Sequence, residues 1–135
     1  MCKDNGDTRG QARATWYLAK STLHDGDFEA ARTQLTTAIR VFRKFEMSEE
    51  LIGCLEDFSQ LDHARGQWLR SVRTLSIACQ MRCRAAIVAS ARGAVRTAAL
   101  AEALKSQLSP SEYDSAWATG QQIEVEAALL TALLS

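Results

Sequence analysis

The chain has 135 residues, 47% of them hydrophobic, and its 16 basic and 16 acidic residues give a formal net charge of zero. This length suits one domain with a core of its own, and a zero net charge argues against a general polyanion binder. No apolar run reaches the roughly 18 residues of a membrane span, so we expect no membrane association.

The N-terminal sequence Met-Cys-Lys-Asp-Asn-Gly-Asp is polar and lacks the apolar core of a secretory signal, which predicts a cytoplasmic protein with reduced thiols. The cysteines are Cys2, Cys54, Cys79 and Cys83. Cys79 and Cys83 continue an apolar stripe, and neither histidine has the spacing of a zinc ligand. We therefore expect both thiols to be buried, and we expect no metal and no other cofactor.

Good helix formers dominate the composition, and Pro110 is the only proline, which predicts an all-α protein. Residues 1–8 are polar and are predicted to be a flexible N-terminus. A first helix is predicted over residues 9–24, and Gly26 closes it. A second helix is predicted over residues 27–45, because apolar residues recur there at positions i, i+3, i+4 and i+7.

Ser48 begins a predicted third helix with two glutamates in its first turn, where the helix dipole favours anions, and Gly66 ends this helix. A fourth helix follows to about Ala85. Residues 85–106 are rich in alanine on more than one face. This segment is either a buried or oligomer-forming helix or a kinked continuation of the fourth helix. We expect a break between residues 86 and 90.

The sequence Ser109-Pro110-Ser111-Glu112 is a strong helix start. Serine suits the N-cap position, proline the first helical position, and a glutamate three residues after the cap can close a capping box. A short helix is predicted from Glu112 to Thr119, with Gly120 ending it. A last helix, rich in leucine, is predicted from Gln122 to Leu134.

Two stretches of the chain read alike at an offset of forty residues. The first contains Leu18-Ala19 and Gly26-Asp27-Phe28, and the second contains Phe58-Ser59 and Gly66-Gln67-Trp68. Small and large residues follow each turn at helical spacing. Such a repeat predicts helix–turn–helix units that bury their apolar faces by stacking on one another.

The residues from Leu18 to Ala38 resemble a tetratricopeptide repeat, and the forty-residue offset resembles the longer variant of that repeat in large bacterial regulators. Two further stretches, 38–61 and 112–129, resemble the C-terminal region of bacterial LuxR-type signal-transduction ATPases. The second of them contains Ala116-Trp117-Ala118-Thr119-Gly120. The resemblance covers about residues 12–134.

The resemblance implies an all-α, tetratricopeptide-like solenoid of about six to seven antiparallel helices. Residues 9–135 then form a single domain, with repeats at about 12–45 and 50–85 and C-terminal helices at about 86–134. In the family an ATPase module precedes this region, and a DNA-binding helix-turn-helix can lie elsewhere. The sequence has no Gly-x-x-x-x-Gly-Lys-Ser/Thr loop, so ATP and DNA binding are not carried over. The departures from the family pattern are Glu46, Ser59 and Ser71, where glycine or alanine is usual.

The leading hypothesis is a non-catalytic module of a bacterial transcriptional regulator that binds a protein or peptide or senses a signal. In stacked helix pairs the first helix of each pair lines the inner face. The candidate partner-binding residues there are Trp16, Tyr17, Lys20, His24, Glu56, Gln60 and His63. Trp16 and Tyr17 come first, because exposed aromatic residues are frequent in binding hot spots. On this hypothesis Trp16→Ala weakens partner binding and leaves the melting temperature nearly unchanged, whereas a large loss of stability places Trp16 in the core.

A nucleic-acid-associated protein is the first alternative, because the 65–96 segment contains arginines and no acidic residue. The arginines considered for this role are Arg70, Arg73, Arg84, Arg92 and Arg96. A remnant of a larger regulator without independent activity is a second alternative. The apolar segments 85–104 and 129–134 also allow a homo-oligomer.

Catalysis requires an acid, a base or a nucleophile that converge in a pocket. Cys54 could be paired with His24 or His63, but no motif supports either pair. We therefore expect that the protein is not an enzyme. The identity of the partner stays open.

Overall fold

Six α-helices follow one another in the part of the chain that the structure describes. The computed structural model describes residues 5–122, and these residues contain no strand. The helices are α1 (Asn5–His24), α2 (Phe28–Lys44), α3 (Ser48–Ala64), α4 (Trp68–Ala85), α5 (Ala91–Gln107) and α6 (Pro110–Gln122). The all-α prediction is confirmed. Helix α1 begins at Asn5, before the predicted start at residue 9, and the predicted last helix lies outside the described residues apart from Gln122.

The first four helices end at left-handed residues that are twenty positions apart. These residues are Gly26, Glu46, Gly66 and Ala86, with φ angles of 86°, 54°, 77° and 56°. In each turn the left-handed residue donates its N–H to the carbonyl three residues back, and the next residue donates to the carbonyl five residues back, over 2.8–3.3 Å. These two hydrogen bonds satisfy the last carbonyl groups of each helix. The forty-residue repeat in the sequence thus contains two twenty-residue units.

Backbone angle, and not crowding, accounts for the glycines in these turns. A Cβ at Gly26 or Gly66 would have no atom within 4 Å. Glu46 adopts the same left-handed conformation with a side chain, which costs roughly 1–2 kcal/mol for an L-residue. The turn after α2 therefore keeps the geometry of its neighbours without the usual glycine.

Replacing Glu46 with glycine should stabilise the protein. We expect Glu46→Gly to raise the free energy of unfolding by about 1 kcal/mol, because it removes left-handed strain at the expense of greater freedom in the unfolded chain. The matched reverse variant, Gly66→Ala, should lower the free energy of unfolding by about 1 kcal/mol. Urea unfolding followed by circular dichroism measures both changes. A Glu46→Gly variant no more stable than the parent would show that the turn carries no strain.

The main core lies between the pair α1–α2 and the pair α3–α4. Its largest fully buried side chains are Leu35, Ile39, Phe42, Ile52, Leu55, Phe58 and Leu61. Those on α2 recur every three or four residues, so the predicted apolar face of this helix is confirmed. Burial of each such side chain stabilises the fold by about 1.5–3 kcal/mol relative to leaving it in water.

Two buried serines join α3 to α4. The Ser59 hydroxyl donates to the Ser71 carbonyl over 2.8 Å, and the Ser71 hydroxyl donates to the Ser59 carbonyl over 2.8 Å. Both residues are fully buried. These two serines therefore compensate each other, because each buried hydroxyl, which would otherwise lose its hydration without replacement, has a hydrogen-bond partner.

Helix α6 packs directly against α4 through small residues. A Cβ on Gly120 would come within 2.6 Å of the Arg73 carbonyl oxygen and of the Ser76 Cβ. The Ser76 hydroxyl also donates to the Trp117 carbonyl over 2.7 Å. The prediction that Gly120 ends the helix is wrong, because α6 continues to Gln122 and the glycine permits a close helix contact instead.

Of the two helices that follow α4, α5 is the less buried. The predicted break after α4 is present, and α5 begins after Ser90, whose side chain accepts a hydrogen bond from the Gly93 N–H over 3.0 Å. Only Leu100 and Leu104 are buried in this helix. Val95 in its N-terminal half is 70% exposed. The alanine-rich segment is therefore a separate helix whose N-terminal half does not pack into a core.

The capping box at the start of α6 is confirmed. The Ser109 N–H donates to the Glu112 carboxylate over 2.9 Å, and the Glu112 N–H donates to the Ser109 hydroxyl over 3.1 Å. The backbone N–H of Ser109, and its side-chain hydroxyl, lower the pKa of the Glu112 carboxyl. Local sequence alone therefore defines where α6 begins.

Cys79 and Cys83 are exposed, so the prediction that both thiols are buried is wrong. The C-terminal half of α4 buries Ala78 and Met81 in the main core instead. Cys79 faces the N-terminal half of α5, which does not pack on α4, and Cys83 follows one turn later on the same side. The apolar stripe in the sequence thus extends beyond the surface that neighbouring helices cover.

Candidate binding groove

A groove runs between α1, α3 and α5, the first helix of each pair. Its narrow part has a volume of about 290 Å³. It continues into a recess of about 480 Å³ beside the C-terminal ends of α1 and α3. Lys20, Asp57, Gln60 and Arg96 line both parts. We call the two parts together the central groove.

The carboxylate of Asp57 joins the three helices at the floor of the central groove. Its Oδ2 accepts from Trp16 Nε1 over 2.6 Å and from Lys20 Nζ over 2.7 Å. Its Oδ1 accepts from Arg96 Nη2 over 3.3 Å. The Asp57 side chain is only 3% exposed, so these donors replace the water that a buried carboxylate loses.

The floor of the groove carries more positive than negative charge. One carboxylate, that of Asp57, faces two cations, Lys20 and Arg96, whose side chains stay 36% and 49% exposed. An ammonium has three N–H donors and a guanidinium has five, and each group here donates one hydrogen bond to Asp57. The unused donors can therefore bind an acceptor that enters the groove.

The groove has four more charged residues, of which two pair with each other and two have no ion-pair partner among residues 5–122. Arg82 donates to both oxygens of Glu56, from Nε over 2.9 Å and from Nη2 over 2.7 Å. This two-point pair leaves little of either charge for a ligand. Arg92 and Glu49 are exposed, line the groove, and form no ion pair with any other described residue.

The structure brings most of the predicted site residues into the central groove. The residues that line it are Trp16, Lys20, His24, Glu56, Gln60 and His63. Tyr17 does not line it and is 62% exposed outside it. Sequence reasoning missed Asp57, because an acidic residue next to Glu56 on an amphipathic helix looks like one more surface charge.

Trp16 is a structural residue as well as a groove residue. Its ring leaves no room for a Cβ on Gly53, which would come within 2.5 Å of Trp16 Cζ2. The ring also meets Phe42 edge-on at 5.8 Å between centroids, and its indole N–H is bonded to Asp57. Trp16 therefore packs within the protein and is not an exposed aromatic residue that serves only to bind a partner.

Truncating Trp16 should destabilise the protein. We expect Trp16→Ala to lower the free energy of unfolding by about 2–3 kcal/mol, since it opens a cavity and leaves Asp57 short of a donor. Tyr17→Ala is the matched control on the next residue and should cost at most about 1 kcal/mol, the value of one exposed ring contact. Urea unfolding measures both. Equal losses for the two variants would contradict the assignment of Trp16 to the core.

Two of the five arginines predicted for nucleic-acid binding, Arg70 and Arg96, pair with acidic residues of the protein. Arg70 lies 3.6 Å from Asp62, Arg96 pairs with Asp57, and Arg82 from the same segment pairs with Glu56. Arg65 pairs with Glu29 on α2. The basic segment of the sequence therefore faces the acidic segment that precedes it, and much of its charge is neutralised inside the fold.

Asp62 is buried, and one of its carboxylate oxygens lacks a hydrogen-bond partner among the described residues, which disfavours its charged form. It is 2% exposed, and its Oδ2 has no hydrogen-bond partner, with Arg70 Nε at 3.6 Å. Burial raises the pKa of Asp62 from 3.8 to about 6, although Arg70 and Arg65 pull it down. The folded protein thus holds the Asp62 proton more tightly than the unfolded chain does.

This raised pKa makes stability fall as pH rises. Between pH 3.8 and about 6 the folded state binds more protons at Asp62 than the unfolded state, so the contribution of this group decreases across that window and is lowest above it. We expect Asp62→Asn to remove this decrease and to gain about 1–3 kcal/mol relative to the parent between pH 4 and pH 7.

Urea unfolding at a series of pH values checks the prediction for Asp62. Asp25→Asn, which changes an exposed carboxyl, is the matched control for the loss of one acidic group. An Asp62→Asn variant whose stability follows the same pH profile as the parent would contradict the prediction.

The sulfur chemistry of the groove region is limited by burial. Cys54 is fully buried, and burial raises the pKa of its thiol far above the usual range. A catalytic pair of Cys54 with His24 or His63 would therefore lack an exposed thiol. Among residues 5–122 no three histidine, cysteine, aspartate or glutamate side chains are grouped so that they could hold a metal ion.

Comparisons with known proteins add no relative to these observations. No protein-family model, no curated protein and no solved structure matches the chain. Within the described residues no helix combines the length and the apolar character that crossing a membrane requires. The central groove itself is therefore the basis for a functional proposal.

Proposed function

We propose that the protein is a non-catalytic interaction module that binds a segment of a partner protein in the central groove. The observation that carries the proposal is the Asp57 centre, where α1, α3 and α5 meet and where Lys20 and Arg96 keep unused donors beside an open recess. The resemblance of the sequence to the C-terminal region of bacterial LuxR-type regulators supports a role in signal transduction. The same resemblance supports a cytoplasmic location.

The charges of the groove favour a partner segment that carries carboxylates. Lys20, Arg92 and Arg96 present cationic groups, and Glu49 is the acidic group of the groove that no described residue pairs with. Carboxylate oxygens accept from ammonium and guanidinium groups in short, charge-assisted bonds. We therefore infer that the partner segment is acidic.

Nucleic-acid binding has less support than protein binding. A protein that tracks phosphates needs clustered cations that are free to displace counterions. Here Arg70, Arg82 and Arg96 each have an acidic partner inside the protein. A module that works only as part of a longer regulator agrees with the same groove, because the groove would then bind a segment of that regulator.

Selection from a random peptide library, followed by fluorescence anisotropy on the selected peptides, tests the proposed function. We expect acidic peptides to be enriched. Arg92→Glu should weaken their binding by about fivefold, since it replaces an attractive surface charge with a repulsive one. Arg92 is suitable because it is not part of the Asp57 centre, so the change should leave the fold intact.

Arg40→Glu is the matched control, because Arg40 is an exposed arginine on α2, away from the groove. It should leave the affinity within about twofold of the parent value. Equal weakening by the two variants would show that binding depends on net charge and not on the groove. Enrichment of neutral peptides would refute the acidic partner, and the failure of every peptide to bind would refute the proposed function.

A further inference from the structure

A second concavity separates the N-terminal half of α5 from α4 and α6. The C-terminal half of α5 packs through Leu100 and Leu104 against Val72 and Leu75 of α4. Among residues 5–122 the N-terminal half has no such anchor, and an open cleft of about 320 Å³ lies beneath it. We call this space the α5 cleft. It lies on the opposite side of α5 from Arg92 and Arg96, which line the central groove and not the cleft.

The walls of the α5 cleft are apolar. They include Leu75, Cys79, Ala94, Ala98, Tyr113 and Trp117. The rings of Tyr113 and Trp117 stack with centroids 6.2 Å apart and planes at 12°. These residues come from α4, α5 and α6, so the cleft has an aromatic wall on one side and a wall of small side chains on the other.

The cleft offers no free charge to a ligand. Its charged lining residues are Glu56 and Arg82, and they bind each other through two hydrogen bonds of 2.9 Å and 2.7 Å. A charged ligand would lose its hydration here without gaining an unpaired partner. The chemistry of the walls therefore fits an uncharged, apolar molecule.

The size of the cleft sets the size of its occupant. An apolar cavity of about 150 Å³ holds a benzene molecule, and small-molecule sites begin at about 300 Å³. An α-helix with side chains is about 10–12 Å across, so a helix from a partner or from a second copy could place only a few side chains in this volume and would leave most of its surface outside. A cleft of about 320 Å³ suits a molecule of about two fused or linked rings.

We propose that the α5 cleft is a binding site for a small, uncharged, apolar molecule of bicyclic size. Such a molecule packs against Trp117 and the edge of Tyr113 and covers the alanine face of α5. The cleft shares Glu56, Leu75, Arg82 and Thr97 with the central groove, but its aromatic wall of Tyr113 and Trp117 lies outside the groove, and the proposal does not rest on the proposed peptide-binding function. The bound molecule gives the loosely packed half of α5 the apolar contacts that the described part of the chain does not supply.

Binding of the neutral, bicyclic fluorophore 6-propionyl-2-(dimethylamino)naphthalene tests the proposal. We expect its fluorescence to increase with a saturable isotherm on the folded, full-length chain. Ala98→Phe should weaken this binding by about tenfold or more, because a ring in the cleft takes the space of the probe. Ala99→Phe is the matched control, since Ala99 is exposed one residue further on and does not line the cleft. It should change the affinity by no more than about twofold.

Cys79 provides a second, independent readout from inside the cleft. In a chain with Cys2→Ser and Cys83→Ser, the remaining thiols are Cys79 and the fully buried Cys54. The probe at ten times its dissociation constant should slow the labelling of Cys79 by a thiol reagent by about tenfold. The control chain carries Cys2→Ser and Cys79→Ser. In it, the probe should not change the rate at which Cys83 is labelled.

Three outcomes would overturn the proposal. They are the absence of saturable binding, equal weakening by Ala98→Phe and Ala99→Phe, and undiminished labelling of Cys79 in the presence of the probe. Sedimentation velocity with and without the probe tests whether a second copy of the chain occupies the cleft. A dimer that dissociates when the probe binds would assign the cleft to a second copy of the chain and would refute the small-molecule site.

Discussion

The buried carboxylate of Asp57 is the interaction on which the arrangement of the odd-numbered helices depends. Removing a charge from water costs several kcal/mol, and the fold compensates with a tryptophan N–H from α1, an ammonium from α1 and a guanidinium from α5. Because α5 buries only Leu100 and Leu104, the Arg96–Asp57 bond is one of few contacts that hold this helix over the groove. The same bonds that hold the helices together determine which donors are left for a ligand.

Helix α4 is held to α3 and α6 by a different kind of contact, in which small residues allow close approach. Ser59 and Ser71 exchange hydrogen bonds between α3 and α4, and Gly120 lets α6 lie against Ser76 of α4. Helix α6 packs closely along α4, whereas α5 meets α4 mainly through Leu100 and Leu104 in its C-terminal half. The third helix pair is therefore not a copy of the first two, and the α5 cleft is the result.

Features that depend on neighbours in the sequence could be predicted, and features that depend on which helix packs on which could not. The capping box at Ser109 and the apolar face of α2 follow from local spacing, as does the placement of Lys20 and Gln60 on the groove side. The burial of Asp57 and the exposure of Cys79 do not, because each depends on how closely α5 approaches. Gly120 was read as a helix end for the same reason, since its contact with α4 has no trace in its own segment.

The twenty-residue spacing of the left-handed turns has a consequence for how such a chain can change in length. One residue inserted into any of the first four helices rotates everything after it by about 100°, which moves apolar side chains out of the core. The three tight turns between these helices cannot absorb such a rotation, because each is fixed by two backbone hydrogen bonds. Length changes are therefore compatible with this fold in two ways, either as whole helix-plus-turn units or within the irregular segment between α4 and α5. The protein is in this respect modular at the level of the single helix, and not only at the level of the helix pair.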